Sequence, residues 1–464
     1  MDEVKNKKKG KGNRENQDPN AELSRDYNGI SLLLFVLPAI FTFVFIAVYQ
    51  IIDGIFIGYF VGPYAIASVN LYYPVISILL AVGMMMGTGA NVRMSELLGA
   101  GKKEEADSVF SQTILLTIAI SVGFEIVSLL FANPIMRMLG ASDGNIEYLR
   151  FYYMVLCAAS PTIMMQTVLG VLIIGEGKNV LTAVLIVVGG GLNLLLDYVF
   201  MGVFHWGIQG AAIATAIGYL VPVLYAFYFY SPKGGSKYCF RMTKIQIKAM
   251  LGICYNGSSE MVSTLASGVT ALLMNHLAFR FYQEVGVSVV SVFLYVQFII
   301  MSVFMGMTTA VEPLISYHYG SGNIPMRKKL FGLSMFWTGI FSLLFMVLLW
   351  KFSYSIVGIF FQPTGDSEQF FQLACRCLYF SVPACLFVGF NIFASGLFTA
   401  FSNGTVSAVL SGIRTFVALS ACLLLMSGIF GADGLWAAWA VAEGITFIIS
   451  IFAIWFFRKK YHYF

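Results

Sequence analysis

Long runs of apolar residues alternate with short polar connections along almost the whole chain. Most of the runs reach about twenty residues, the length that an α-helix needs to cross a bilayer, whereas barrel strands alternate over about ten residues. The pattern therefore predicts an all-α, polytopic membrane protein with roughly twelve transmembrane helices. The predicted spans cover residues 30–57, 65–92, 108–132, 148–173, 179–201, 208–230, 249–278, 285–311, 330–350, 371–398, 405–427 and 435–457.

Basic residues in the connections indicate how these helices are oriented. One set of connections, together with both termini, carries most of them: Lys7, Lys8, Lys9, Lys102, Lys103, Lys178, Lys233, Lys237, Arg241, Lys244, Arg327, Lys328, Lys329, Arg458, Lys459 and Lys460. The alternate connections hold little beyond Arg137, Arg280 and Lys351. Because basic loops tend to stay on the cytoplasmic side, both termini are predicted to be cytoplasmic in the plasma membrane, which requires an even number of spans.

The two halves of the chain resemble each other. The segment "SELLGAGKKEEADSVF" from Ser95 aligns without a gap with "SYHYGSGNIPMRKKLF" from Ser316. "GIQGAAIATA" from Gly207 echoes "GADGLWAAWA", "IIGEGKN" falls where "LFTAFSN" falls, and Pro161 matches Pro383. Six spans in each half give both halves the same orientation, so two parallel lobes with a cleft between them are predicted. This is the architecture of an alternating-access transporter.

The composition supports a membrane protein and the charge distribution suggests its divisions. The chain is 58% hydrophobic and 11% charged, against about 25% charged residues in a soluble domain. The basic residues cluster at membrane boundaries, so the bilayer is the predicted partner and nucleic acid is not. Because two lobes complete a cleft, a monomer suffices. The predicted parts are a disordered cytoplasmic tail (1–28), an N-terminal lobe (29–230), an interlobe linker (231–248), a C-terminal lobe (249–458) and a C-terminal tail (459–464).

An acidic residue within the first apolar run is the main candidate for chemistry. Asp53 lies in "VYQIIDGIFIG", and a charge near the bilayer centre costs roughly 3 kcal/mol on insertion scales. Asn193 and Asp197 are four residues apart in the fifth span and share a helix face. Two carboxylates in a low-dielectric site do not both ionise easily. With Tyr49 and Gln50 one turn before Asp53, the group can exchange a proton or hold Na⁺ between oxygens.

Two features bear on whether this acid pair is functional. Both aspartates lie near span ends, so the alternative is that each merely faces water. Against this, Asp53 aligns with Met274 in the other half, so only the N-terminal lobe carries the pair. Gly189–Gly191 would let neighbouring helices approach closely. Pro38, fifteen residues before Asp53, predicts a kink, either static or responsive to protonation of the pair.

The C-terminal lobe offers weaker candidates. Glu260 near the start of the seventh span either attracts cationic substrates or is a carboxylate at the cytoplasmic mouth. Glu312 and Arg414 are interpreted as structural partners near that same boundary. The chain has 42 Phe and 22 Met, and such adaptable walls suit lipophilic cations. Met274 and Gln297 are therefore possible substrate contacts, together with Glu260.

These residues resemble the multidrug and toxic compound extrusion (MATE) family of the MOP superfamily. The similarity rests on the first-span proline, "QIIDGIFIG" fifteen residues later and the Asn193-x-x-x-Asp197 motif. "GTGANVRMSELLGAGKKEEA" and "EPLISYHYGSGN" fit the junctions after the second and eighth spans, and "NGSSEMVSTLASG" opens the seventh span. These three phrases resemble most closely the MepA-type branch. The resemblance covers nearly all of the chain beyond the basic tail.

The resemblance implies export of drugs or metabolites coupled to inward H⁺ or Na⁺ movement, with no cofactor. Carried onto this chain, Asp53, Asn193 and Asp197 would form the cation-coupling site. Two positions depart from the family's pattern. One branch has an acidic residue near positions 265–267, and none is present here. Glu312 stands where a neutral residue such as glutamine is expected.

Other function classes have less support in the sequence. A flippase or exporter of an endogenous lipid-linked or metabolite substrate is the alternative, although a pyrophosphate-binding cleft would need more intramembrane basic residues than the chain has. A membrane-embedded enzyme would need a metal cluster or an activated nucleophile, and the chain has neither H-E-x-x-H nor G-x-S-x-G. A Walker A motif is also absent. Secondary transport, with the choice between H⁺ and Na⁺ open, is the predicted function.

Overall fold

The computed structural model describes residues 21–141, 146–241, 246–361 and 368–464, and these are helical throughout apart from short connections. The helices are α1 (Ala21–Ser24), α2 (Gly29–Phe60), α3 (Pro63–Gly99), α4 (Lys103–Leu130), α5 (Ala132–Met138), α6 (Ile146–Ala158), α7 (Ser160–Gly175), α8 (Asn179–Asp197), α9 (Ile208–Phe229), α10 (Ile247–Gly320), α11 (Ile324–Val357), α12 (Glu368–Ser381), α13 (Cys385–Ala400), α14 (Gly404–Gly412) and α15 (Leu419–Tyr461). Short π-helical segments, Tyr198–Val203 and Ile413–Ala418, follow α8 and α14.

Two of the long helical stretches each contain two spans. Within the described ranges, nine stretches are long and apolar enough to cross a membrane, and α6 with α7 forms a tenth that is bent by 52°. α10 alone would be about 110 Å long if straight, several times the thickness of a bilayer. It reverses at Gln283, where φ is 53°, and α15 reverses at Gly431, where φ is 62°. Counting both reversals gives the twelve predicted spans of the described chain.

The reversal at Gln283 is a tight helical hairpin. A Cβ placed on Gly286 would lie 2.5 Å from the carbonyl oxygen of Ala278. Met274 and Val290, which lie on the two arms, share one buried apolar cluster. The sequence prediction ends the seventh span at residue 278, before the reversal at Gln283. Apolar runs report the bilayer-buried part of a helix and not its polar extensions.

The internal repeat is visible in the backbone. Gly207 (φ 60°, ψ −142°) and Gly431 (φ 62°, ψ −138°) adopt nearly the same conformation at matching places. The matched prolines also interrupt their helices, since α7 begins at Ser160–Pro161 after a bend and Pro383 lies in a 3₁₀ turn. One detail of the predicted alignment is wrong. The left-handed residues after α7 and α13 are Gly177 and Ser402, whereas the alignment pairs Gly177 with Phe401.

In the described ranges, the buried core that the two halves share lies at one end of the molecule. We call this end the basic side: it carries the connections after α3, α7, α9, α13 and the Gly320 end of α10. Here one buried cluster unites Met94 and Leu98 of the first half with Leu314 and Ile315 of the second. At the other end the buried clusters are separate, one confined to residues 57–212 and one to residues 274–442. The cleft between the halves is therefore closed at the basic side.

Parts of both predicted tails pack in the buried core. Residues 1–20 lie outside the described residues, but Leu23 and Tyr27 are buried in the shared cluster, so the predicted tail boundary at residue 28 is wrong. The C-terminal residues also pack, because Tyr461 and Tyr463 are buried in the same cluster. The carbonyl oxygen of Tyr461 accepts a 3.0 Å hydrogen bond from Arg327. Polar composition alone does not reveal these tyrosine anchors.

The interlobe linker lies against the first half. Its residues 242–245 are outside the described residues, but the rest is bound by side chains at the basic ends of α4 and α7. Ser236 Oγ and the backbone N–H of Lys237 donate to the Glu176 carboxylate at 2.5 and 2.9 Å. The N–H of Arg241 donates to Ser111 Oγ at 2.9 Å. The linker therefore packs as part of the first half.

Candidate functional site

The two predicted aspartates meet between α2 and α8. Asp53 lies two turns before the end of α2, and Asp197 is the last residue of α8 before the π-helical segment. Their carboxyl groups lie close enough to act on each other electrostatically. Asp197 has no exposed surface, and its two oxygens and Oδ1 of Asp53 are buried without a hydrogen bond of ordinary geometry. The alternative that each acid merely faces water is therefore wrong for Asp197. Asp53 is half-buried, so one part of its side chain is still exposed.

Three further polar side chains line this site. Tyr219 of α9 interacts with Tyr49, and both tyrosines lie within electrostatic range of Asp53. Tyr152 of α6 is close to both aspartates. The sequence pointed to Tyr49 but not to Tyr152 or Tyr219, because their helices meet the acid pair only in the folded lobe.

Asn193 occupies the same side of α8 as Asp197, as the four-residue spacing predicts. It is 4% exposed, and its Nδ2 donates to Thr215 Oγ1 of α9 at 3.4 Å. The four-residue spacing leaves Asn193 one helical turn from Asp197 along α8. Gln50 contacts Tyr49. The first-lobe candidates thus lie on α2 and α8, with Tyr49 near Asp53 and Asn193 one turn from Asp197.

Glycines of α8 allow the helices around the site to approach one another. A Cβ on Gly189 would lie 2.7 Å from the Gly218 carbonyl oxygen, and one on Gly190 would lie 2.9 Å from the Phe45 ring. The same Cβ on Gly190 would lie 3.2 Å from the Tyr49 ring. The close-approach prediction is confirmed for these two glycines. It is wrong for Gly191, where an added Cβ would have nothing within 4 Å.

Pro38 lies where α2 changes neighbours. Just after it, the backbone at Ile40 meets α10: a Cβ on Gly306 would lie 2.6 Å from the Ile40 Cα. Further along α2, Phe45 and Tyr49 pack on Gly190 of the first half. α2 remains one continuous helix through the proline. The helix that carries Asp53 thus contacts both halves.

The second half contains a different polar cluster. Arg414 Nε contacts Glu443 Oε1 at 3.0 Å, with both residues less than a tenth exposed. Asn391 Nδ2 donates to Glu443 Oε2 at 2.7 Å, and Asn391 Oδ1 accepts from Ser450 Oγ at 3.0 Å. The interpretation of Glu312 and Arg414 as partners is wrong, because the partner of Arg414 is Glu443. The spacing along a single helix could not show this pairing, because Arg414 lies before the reversal at Gly431 and Glu443 lies after it.

The predicted substrate contacts do not form one group. Met274 is 6% exposed and belongs to the apolar cluster of the second half. Glu260 lies within electrostatic range of Arg414 and Glu312, and Gln297 is half-buried in α10. The geometry gives the first half an acid pair with amide and hydroxyl neighbours. Such oxygen-rich groups suit a proton or a small hard cation.

Comparisons with known proteins agree with this architecture. A family model described as MatE matches residues 38–199 and 261–424. The multidrug export protein MepA of Staphylococcus aureus (strain MRSA252) is 24% identical over 93% of this chain and 94% of its own length. The multidrug export protein MepA of Staphylococcus haemolyticus (strain JCSC1435) is also 24% identical, over 93% of this chain and 94% of its own. A solved structure showing the outward-facing conformation of a multidrug resistance MATE family transporter superimposes with a TM-score of 0.87 at 21% identity, covering 96% of this chain and 99% of that one.

Proposed function

Because the chain belongs to the MatE family of transporters, we propose that it is a secondary active exporter of lipophilic, cationic compounds. Inward flow of H⁺ or Na⁺ would drive the export by alternating access. The observation that carries the proposal is the close approach of the half-buried Asp53 to the fully buried Asp197 in the N-terminal lobe. The names of the curated relatives, which are multidrug export proteins, support the substrate class.

The coupling step would take place at the acid pair. Two carboxyl groups in contact away from water favour a state with one proton, or with one cation between their oxygens. We propose that Asn193 and Tyr49 supply neutral oxygens to the ion, which suits either H⁺ or Na⁺. Since the pair lies between α2 and α8, binding and release would change how these two helices hold each other. We propose that α2 responds by bending near Pro38.

The two-lobed packing supports alternating access. The lobes share a core at the basic side, which we propose to be cytoplasmic, and have separate cores at the other end. This state would release substrate outward. To open the cleft at the basic side, the lobes would separate at their shared core and come together at the opposite end, where their cores are now separate. Substrate contact by Glu260, Met274 and Gln297 remains a prediction, and the packed position of Met274 gives it the least support.

The test is transport of a fluorescent lipophilic cation by inverted membrane vesicles, with pH and sodium gradients imposed separately. We expect wild type to accumulate the dye under one gradient, and Asp53→Asn and Asp197→Asn to fall to the level of vesicles without the protein. Asp433→Asn is the matched control, because this half-exposed aspartate pairs with Arg376 far from the site. Normal transport by both site variants would overturn the proposed coupling site.

A further inference from the structure

Glu312 of α10 is a buried acid to which the proposed coupling site gives no role. It is 3% exposed, and its Oε2 is buried without a hydrogen-bond partner. In the described ranges it forms no ion pair: Arg414, a buried base of the second half, is held by Glu443 at 3.0 and 3.3 Å. A carboxylate in this position would have neither water nor a counter-ion.

The carboxyl group of Glu312 occupies space that is available because residue 396 is a glycine. A Cβ on Gly396 of α13 would lie 2.6 Å from Glu312 Oε1 and 2.2 Å from Thr308 Cγ2. Any larger residue at position 396 would therefore displace the acid. The glycine and the buried, unpartnered oxygen are independent signs that the chain accommodates this side chain here.

The surrounding charges do not neutralise Glu312. Glu260 is the acidic neighbour that acts on it, and a second acid makes ionisation harder. The other ionisable groups on elements packed around it are engaged elsewhere or lie towards the basic side: Arg93 with Glu96 on α3, Arg327 on α11, His318 on α10, and Glu443 on α15 with Arg414. An unpaired buried carboxylate costs several kcal/mol unless the group is neutralised. Proton uptake removes that cost.

The repeat provides an internal comparison. The 221-residue offset that relates Ser95 to Ser316 places Asn91 at the position of Glu312. Asn91 is 2% exposed and also packs against a glycine, Gly175. The first half therefore has a neutral amide at the position where the second half has a carboxylic acid. The acid in the second half adds the capacity to carry a proton.

A row of buried hydroxyl groups links α10, α13 and α14 of the same lobe. Successive oxygen–oxygen distances are 3.3, 2.6, 3.0 and 2.7 Å along Ser259, Thr399, Ser407, Ser395 and Ser411. Ser259 precedes Glu260, and Thr399 lies one turn from Gly396. Linked hydroxyls of this kind can both donate and accept hydrogen bonds. The lobe that carries Glu312 therefore holds several further buried polar groups that are paired with one another, whereas Glu312 Oε2 has no partner.

From this geometry we propose that Glu312 is a second proton-binding site, in the C-terminal lobe, with Glu260 as its acidic neighbour. Any contribution of this proton to transport rests on the proposed function. Proton binding itself does not, so an experiment that reads protonation directly would stand even if the transport experiment failed.

The experiment is infrared difference spectroscopy of the purified full chain in lipid, recording the carbonyl band of protonated carboxylic acids at neutral pH. Asp53→Asn/Asp197→Asn serves as the background, which removes the first-lobe signal. We expect a band that Glu312→Gln removes and that Glu312→Asp shifts. Glu284→Gln, which changes an exposed glutamate of the same helix, should leave the band unchanged.

Several outcomes would overturn the assignment. They are no band at neutral pH, a band that survives in a folded Glu312→Gln protein, and a band that Glu260→Gln removes instead. Loss of the band on adding Na⁺ would show a sodium site and refute the proton. Size-exclusion profiles and unfolding temperatures of each variant establish folding, and Glu312→Asp keeps the test decisive if the glutamine variant does not fold.

Discussion

Closure at the basic side depends on two glycines that the repeat places in reciprocal positions. A Cβ on Gly99 would lie 1.9 Å from the Tyr317 carbonyl oxygen, and one on Gly320 would lie 1.9 Å from the Glu96 carbonyl oxygen. Both obstacles are backbone atoms of the opposite half, so no side chain can move aside. Ser402 Oγ donates to Glu96 Oε2 across the same junction at 2.9 Å. We predict that Gly99→Ala opens this end.

The size of the effect follows from the distance. Ordinary van der Waals contact begins at 3.4 Å, so the added methyl group requires the backbones to separate by about 1.5 Å, the difference between 3.4 and 1.9 Å. Overpacking of this kind costs roughly 1–3 kcal/mol. Because the methyl group is accommodated once the halves part, the cost falls on the closed state alone. The ratio of closed to open molecules should fall by roughly 5- to 150-fold.

The assay is a distance measurement by electron paramagnetic resonance between spin labels at Lys103 and Lys328. Both residues are exposed at the basic side, one in each half, and the native cysteines would be replaced beforehand. We expect Gly99→Ala to move the distribution to longer distances. Gly320→Ala should do the same, and the double variant should add little because both methyl groups block one junction.

Gly252→Ala is the control, since this exposed helical glycine of α10 has nothing within 4 Å of an added Cβ. It should leave the distances unchanged. If Gly99→Ala keeps the wild-type distribution while the protein remains folded, the glycine junction does not limit closure and the reasoning is refuted.

Two other predictions concern stability and coupling. Arg414→Met should lower the free energy of unfolding by roughly 3–5 kcal/mol, because it leaves Glu443 buried and unpaired; Arg376→Met, at an exposed ion pair, should cost less than about 1 kcal/mol. Equal unfolding temperatures of the two variants in detergent would contradict this. Gly190→Ala should push the Tyr49 ring from its place beside Asp53 and reduce dye transport several-fold, whereas Gly191→Ala, with open space around it, should transport normally; equal rates would refute the packing argument.

The sequence predicted the helical architecture well, because the bilayer imposes one dominant constraint. Twenty-residue apolar runs and basic loops follow directly from the cost of placing polar groups in lipid. Helix ends were less accurate: α3 continues to Gly99 and α10 to Gly320, beyond the predicted ends at 92 and 311. Those extensions are stabilised by contacts between halves, which no local pattern reports. The packed residues 21–28 were missed for the same reason.

The sequence predicted those residues of the candidate site that stand out within a single helix, but not the contacts between helices. Asp53, and Asn193 with Asp197, stand out because each is polar within an apolar run. Tyr152 and Tyr219 do not stand out, since tyrosine is common in membrane helices, and only folding places them beside the acids. The Arg414–Glu443 pair was missed because Arg414 was assigned to Glu312 from the depth of both residues along their spans. Depth does not determine which of several acids faces a given base.

The position of α2 connects the acid pair with the closure of the cleft. Its first part is held by the second half: Trp337 Nε1 donates to the Gly29 carbonyl oxygen at 2.9 Å, and Ile40 lies against Gly306. Its later part carries Asp53 against the first half. Since the bend-permitting Pro38 lies at the border between these parts, a change in how Asp53 and Asp197 hold each other acts on a helix already anchored across the cleft. We therefore propose that this helix converts ion binding in one lobe into loss of contact with the other.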